Sequence, residues 1–176
     1  QAFPAGQNGD YQQLNHSLLQ IENEFYSTIR PKRVTQPGEA PLAALRRAGI
    51  EYVEIRCIDV SPFTPVGIDA SQIRFLDTFL LHCLLEDSPA CDDTERALQA
   101  ANLSTVVNRG REPGLRLRTP VGDASLEELA GELLGGMTGI AELLDNAHAS
   151  ESYRAALAAQ QAKVQDSALT PSARVL

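Results

Sequence analysis

With 176 residues, 43% of them hydrophobic, the chain can bury one sizeable core, and a single compact domain is the default organisation. A formal charge of -8 repels polyphosphate backbones and anionic membrane surfaces, which argues against nucleic-acid and membrane partners. No apolar run approaches the roughly 18 residues of a membrane span and the start lacks a secretory pattern, while Cys57, Cys83 and Cys91 show no C-x-x-C spacing, so a soluble, cytoplasmic protein without a disulfide framework or zinc site is expected.

Residues 1 to 13 hold glycine, proline and polar side chains without a period and read as an irregular entry. From Leu14 the pattern turns strand-like: Leu19, Ile21 and Phe25 alternate with Gln20, Glu22, Glu24 and Tyr26, with Asn23 interrupting the apolar face. This face of glutamates, glutamine and tyrosine reads either as exposed sheet surface or as a site for a metal and a polar substrate. The basic run Ile29-Arg30-Pro31-Lys32-Arg33 follows at the strand's end, a candidate for contacting a phosphate or carboxylate. Pro37-Gly38 marks a turn, and Pro41 to Ala48 reads as a short helix closed by Gly49.

Gly49 to Val60, GIEYVEIRCIDV, is the central strand. Val53, Ile55 and Cys57 share one face, expected to lie under helices, and Ile50, Tyr52, Glu54, Arg56, Ile58 and Val60 share the other. Glu54 and Arg56 then point the same way, about 7 Å apart along the strand. A chance pair on a solvated face is the plain alternative, which the apolar flanks weaken.

The connection SPFTPVGID is irregular, and Asp69 with Gln72 forms a capping box that opens a largely apolar helix, expected to be buried, with Cys83 in its stripe and His82 as a structural histidine. Asp92 to Asn108 is a further helix, and RGREPGLRLR reads as an arginine-rich surface loop. Ser125 with Glu128 caps a long helix running to Leu144, weakened by Gly135 and Gly136, and Ser150 to Gln165 is a last full helix with Tyr153, Leu157 and Val164 on one face. Met137 is the only methionine, so Gln1 reads as an internal residue of a longer chain; Thr170-Pro171 reads as a helix start severed from its helix.

Three stretches carry a resemblance: LLQIENEFYSTIRPKR at Leu18 to Arg33, GIEYVEIRCIDVSPFTPVGID at Gly49 to Asp69, and RFLDTFLLHCLLEDSP at Arg74 to Pro89, with weaker echoes in GREPGL and SARVL. Together they resemble glutamate-cysteine ligase of the proteobacterial type. The resemblance implies an α+β fold, a piece of a glutamine-synthetase-like sheet, about two strands here, followed by a mainly helical layer. It implies that residues 1–176 are a C-terminal fragment of the catalytic domain, 14–69 forming the sheet part with active-site residues and 70–176 the helical part, and that the parent's N-terminal part is missing.

The activity implied is ATP-dependent ligation of the γ-carboxylate of L-glutamate to the amine of L-cysteine through γ-glutamyl phosphate, the first step of glutathione biosynthesis, with ATP as substrate and Mg2+ as cofactor. Glu54 corresponds to a magnesium ligand, Arg56 to the arginine that contacts the transferred phosphate or the substrate, and Tyr26 to a tyrosine lining the cysteine pocket. Glu22, Asn23, Glu24, Arg30, Lys32 and Arg33 receive no individual role. One metal ligand is too few to hold magnesium, so the fragment is expected to be inactive alone. The alternative is a non-catalytic binding or interaction module derived from the ligase.

Overall fold

The computed structural model describes residues 27–175, which fall into two compact units divided between Asp59 and Val60. The strand expected over Leu14 to Tyr26, and Tyr26 itself, lie outside the described residues. The class is α+β as expected, with two small antiparallel sheets and a helical layer.

In the first unit β1 (Ile29–Lys32) pairs antiparallel with β2 (Tyr52–Ile55), Arg30 opposite Glu54 and Lys32 opposite Tyr52. Ile29 to Lys32 of the basic run are therefore themselves strand residues. The Arg56 amide donates to the Thr28 carbonyl, and the alternation from that bond puts Pro31 opposite Val53 in a non-hydrogen-bonded pair, where its missing N–H costs the ladder nothing. Between the strands lies α1 (Pro41–Ala48), with proline at its start and its last turn closed by the Gly49 amide on the Leu45 carbonyl. Gly49 sits at φ 74°, where a β-carbon is disfavoured.

The face of Val53, Ile55 and Cys57 is not covered as expected. Val53 is 41% exposed, Cys57 is exposed and Ile55 half-buried, while Arg30, Lys32, Glu54 and Arg56 are all half-buried. The ion pairs of Lys32, Glu54 and Arg56 let these three long side chains shield one another, so alternation with charge did not mark the wetter side.

The second unit opens its helices with α2 (Ala70–Leu85), and both halves of the Asp69–Gln72 capping box are made. Its burial is narrower than expected: Thr78 is fully buried, its hydroxyl donating to the Arg74 carbonyl, whereas Leu84, Leu85 and Cys83 at the C-terminal end are exposed. After α3 (Asp93–Arg109) the arginine-rich segment is a turn over residues 110–115, as read, but its end enters a hairpin, β3 (Arg116–Thr119) and β4 (Gly122–Ser125). Leu115 and Leu117 are buried there, and the Asn102 amide group clips β3 by giving a bond to the Arg118 carbonyl and taking one from its amide.

The long helix expected from Ser125 is two helices, α4 (Leu126–Gly136) and α5 (Thr138–His148), broken at Met137. The glycine pair withdraws helix propensity at the break. Gly136 also has the His82 ring against it, where an added β-carbon would lie 3.1 Å from the imidazole, and Met137 is fully buried. Leu134, Met137, Ala141 and Leu157 form the core, with Phe75, Phe79, Tyr153 and Val164 packed on it, and α6 (Ser152–Gln165) lies against α2, α4 and α5.

Buried Asp145 fixes the start of α6: it accepts from the Tyr153 and Arg154 amides, the Ser150 hydroxyl and the Arg154 Nε. Burial pushes its carboxyl up, but these donors together pull it down to about 2. A 3-10 turn (Ser167–Leu169) leads to α7 (Pro171–Val175), capped by the Thr170 hydroxyl as the Thr-Pro pair implies. No helix among the described residues is long and apolar enough to cross a membrane.

Candidate active site

On the face of the β1–β2 ribbon that carries Arg30, Lys32, Glu54 and Arg56, the register decides which groups meet. Glu54 and Arg56 are two apart and so share a side, and the Arg56 Nη2 lies 3.2 and 3.1 Å from the two Glu54 oxygens. Lys32, diagonal to Glu54 across the ladder, brings its Nζ to 3.2 Å from Oε2. The same carboxylate is thus gripped from both sides. Hydrogen bonds from Arg56 first, then from Lys32, hold its pKa below the ordinary glutamate value against the partial desolvation that would raise it.

The strand ends are braced independently of this cluster. Arg33 donates to the Gly49 carbonyl at 2.7 Å and lies 3.7 Å from Glu51, whose carboxylate also accepts from the Val34 amide. In the turn before α1, Glu39 binds Arg47 and accepts from the Gln36 amide, which together hold it at about 2. These contacts fix how far β1 and β2 can slide, and hence the Lys32–Glu54 diagonal.

Chemically the cluster presents an ionised carboxylate between an ammonium and a guanidinium. Among the described residues no three His, Cys, Asp or Glu side chains stand close enough to share a metal ion. Glu54 is one hard oxygen donor, and a magnesium shell needs further carboxylates or phosphate oxygens. A thiol nucleophile finds no support: Cys57, Cys83 and Cys91 are free, and desolvation followed by neighbouring Glu95 pushes the Cys91 thiol up, away from the thiolate. His82 lies 3.7 Å from Glu86 and His148 stacks on Tyr153, both structural settings. The second unit holds a cavity of about 510 Å³ among Phe75, Leu115, Leu126, Leu134 and Val164, whose lining includes neither Glu54 nor Arg56.

The sequence brought Glu54 and Arg56 together, and the structure joins them. It missed that Lys32 completes the cluster and that Arg30 faces Glu54. The spacing of IRPK and YVEI as two antiparallel partners held that signal, but Pro31 hid the strand.

An α+β chain with a carboxylate held between cations on a sheet face is the kind of scaffold that carries ligand chemistry, and sequence comparison narrows the class. The family profile for glutamate-cysteine ligase matches residues 1–106, and the chain belongs to that family. It is similar to the glutamate–cysteine ligase of Pseudomonas putida (strain W619), 54% identical over 169 residues, covering 96% of this chain and 32% of the relative. The ligase of Azotobacter vinelandii is 52% identical over 175 residues, covering 99% of this chain and 33% of the relative. Among solved structures, glutamate–cysteine ligase from Francisella tularensis in complex with AMP superposes with a TM-score of 0.83 at 36% identity, covering 97% of this chain and 34% of that one. The chain spans about a third of the length of the relatives it matches.

Proposed function

We propose that this chain is part of an ATP-dependent glutamate–cysteine ligase acting in glutathione biosynthesis in the cytoplasm, and that its β1–β2 face contributes to the active site. The observation that carries the reading is the Glu54–Arg56 pair on one face of the ribbon, joined by Lys32, in a chain of this family. The AMP bound by the Francisella relative supports nucleotide use.

In the reaction proposed, a γ-carboxylate oxygen of L-glutamate attacks the γ-phosphorus of ATP and ADP leaves. The amine of L-cysteine then attacks the acyl carbon of γ-glutamyl phosphate, the C–O bond to phosphate breaks, and the amine proton is released. Arg56 supplies a planar fork suited to two oxygens of the transferring group, where charge spreads in the transition state. Glu54 holds that guanidinium in place and, ionised far below neutral pH, is the oxygen donor this chain would offer to Mg2+. Magnesium, when bound, would draw charge from phosphate oxygens. Tyr26 is assigned to the cysteine pocket. The remaining carboxylates belong to the parts of the ligase that this chain does not span, so the 176 residues alone form no γ-glutamylcysteine.

The test is a chimaera in which these residues replace the matching third of the Pseudomonas putida ligase, assayed for ADP release that requires both amino acids. Turnover is expected, and Glu54→Gln and Arg56→Lys should each lower it about a hundredfold or more with folding intact. For Arg56→Lys the loss should fall on kcat more than on KM for ATP, because the contact belongs to the transition state. Near-normal kcat in both variants would remove the pair from the chemistry.

A further inference from the structure

We propose that Arg30 is a further binding residue of this face and grips an oxyanion of the phosphate or carboxylate type beside Arg56, with Lys32 as the positioning residue that keeps Glu54 from capturing Arg30. The proposal rests on the reading of Glu54 and Arg56 given above. Arg30 stands directly opposite Glu54 in the ladder and is half-buried. Directly opposite, oppositely charged residues on an antiparallel ribbon ordinarily pair. Here they do not, because Lys32 at 3.2 Å and Arg56 at 3.1 Å already occupy the carboxylate. The Arg30 side chain makes no ion pair or hydrogen bond among the described residues, whereas nearby Arg33 and Arg47 both have carboxylate partners.

A half-buried guanidinium has given up part of its hydration, and one without a partner can recover that loss by taking a ligand's oxygens. The neighbouring charges select the sign. Glu54, the carboxylate opposite, is already paired twice, and Lys32 and Arg56 flank it on the same side, so an anion arriving at Arg30 meets cations on its approach. The planar fork suits two oxygens of one phosphoryl group or carboxylate equally. Lys32 then has a defined part: without it, Glu54 is free to turn toward Arg30 and quench the site.

The test titrates the 176-residue chain with pyrophosphate and, separately, with L-glutamate, following backbone amide resonances of Ile29–Lys32 and Glu54–Arg56. Saturable shifts with one of the two probes are expected, and the probe that acts names the oxyanion. Arg30→Gln should weaken that binding about tenfold or more, Arg30→Lys less, and Arg46→Gln on α1 not at all. Lys32→Gln should weaken it as well while leaving amide dispersion unchanged. If Arg30→Gln binds like the parent chain while Arg56→Gln does not, the assignment of Arg30 is overturned and the reading of Arg56 stands; the reverse pattern overturns Arg56 and keeps Arg30. Absence of saturable shifts with both probes overturns the site as drawn here, while ligase turnover by the chimaera is judged separately.

Discussion

In the unit that ends at Asp59, Ala44 is the one described residue buried outright, and apolar Ile29, Ile50, Tyr52 and Val53 are exposed. From Val60 onward the chain buries Leu115, Leu117, Leu134, Met137, Ala141, Ala156 and Leu157. A ribbon of two four-residue strands has little independent stability, and partly exposed ion pairs add little more. The β1–β2 ribbon therefore spends its side chains on a charged arrangement, while the helical unit spends its side chains on packing. A substitution in one should change chemistry with small effect on folding, and a substitution in the other should do the opposite.

The largest stability effect belongs to the helical core. Leu157→Ala removes a buried side chain from the cluster around Met137 and should cost about 2–5 kcal/mol in urea unfolding, a large part of a domain's total stability. A loss of only a few tenths would show that α6 does not anchor the unit.

Asp145 comes next and distinguishes the units by pH. Its folded pKa of about 2 lies below the unfolded value near 4, so its contribution is fully present above about pH 4 and is lost as pH falls toward 2. Asp145→Asn should unfold more readily at neutral pH, and the gap to the parent chain should close between about pH 4 and pH 2. A gap constant across that window would mean that the charge of Asp145 is idle.

The smallest effect tests the break between α4 and α5. A β-carbon added at Gly135 meets nothing within 4 Å, so Gly135→Ala should stabilise by up to about 1 kcal/mol, the ordinary helix-propensity gain. At Gly136 the His82 ring offsets that gain. A destabilised Gly135→Ala would mean that the break needs both glycines.

Helices whose ends carried chemical signals were legible: the Asp69–Gln72 and Ser125–Glu128 capping boxes, Pro41 with Gly49, and Thr170 before Pro171 all stand where their residue types imply. The misreadings share a cause, since each needed a partner distant in sequence. The β3–β4 hairpin looked like a charged loop because Leu115 and Leu117 show as core only when folded, with Asn102 clipping the edge. Cys83 and Leu84 fit a helical apolar stripe, yet that end of α2 is exposed. For the site, two residues of separation put Glu54 beside Arg56, but the contribution of Lys32 depended on a register that Pro31 concealed.

The division of labour is tested most directly by measuring Tm and turnover side by side for Glu54→Gln and Leu157→Ala in the Pseudomonas putida chimaera. The expected result is a crossed pattern: Glu54→Gln melts near the parent temperature with turnover lost, and Leu157→Ala melts well below it while its folded fraction keeps near-normal turnover. If Glu54→Gln instead melts early and its folded fraction turns over normally, the Lys32–Glu54–Arg56 cluster is a structural clamp and the assignment of chemistry to the β1–β2 face is wrong.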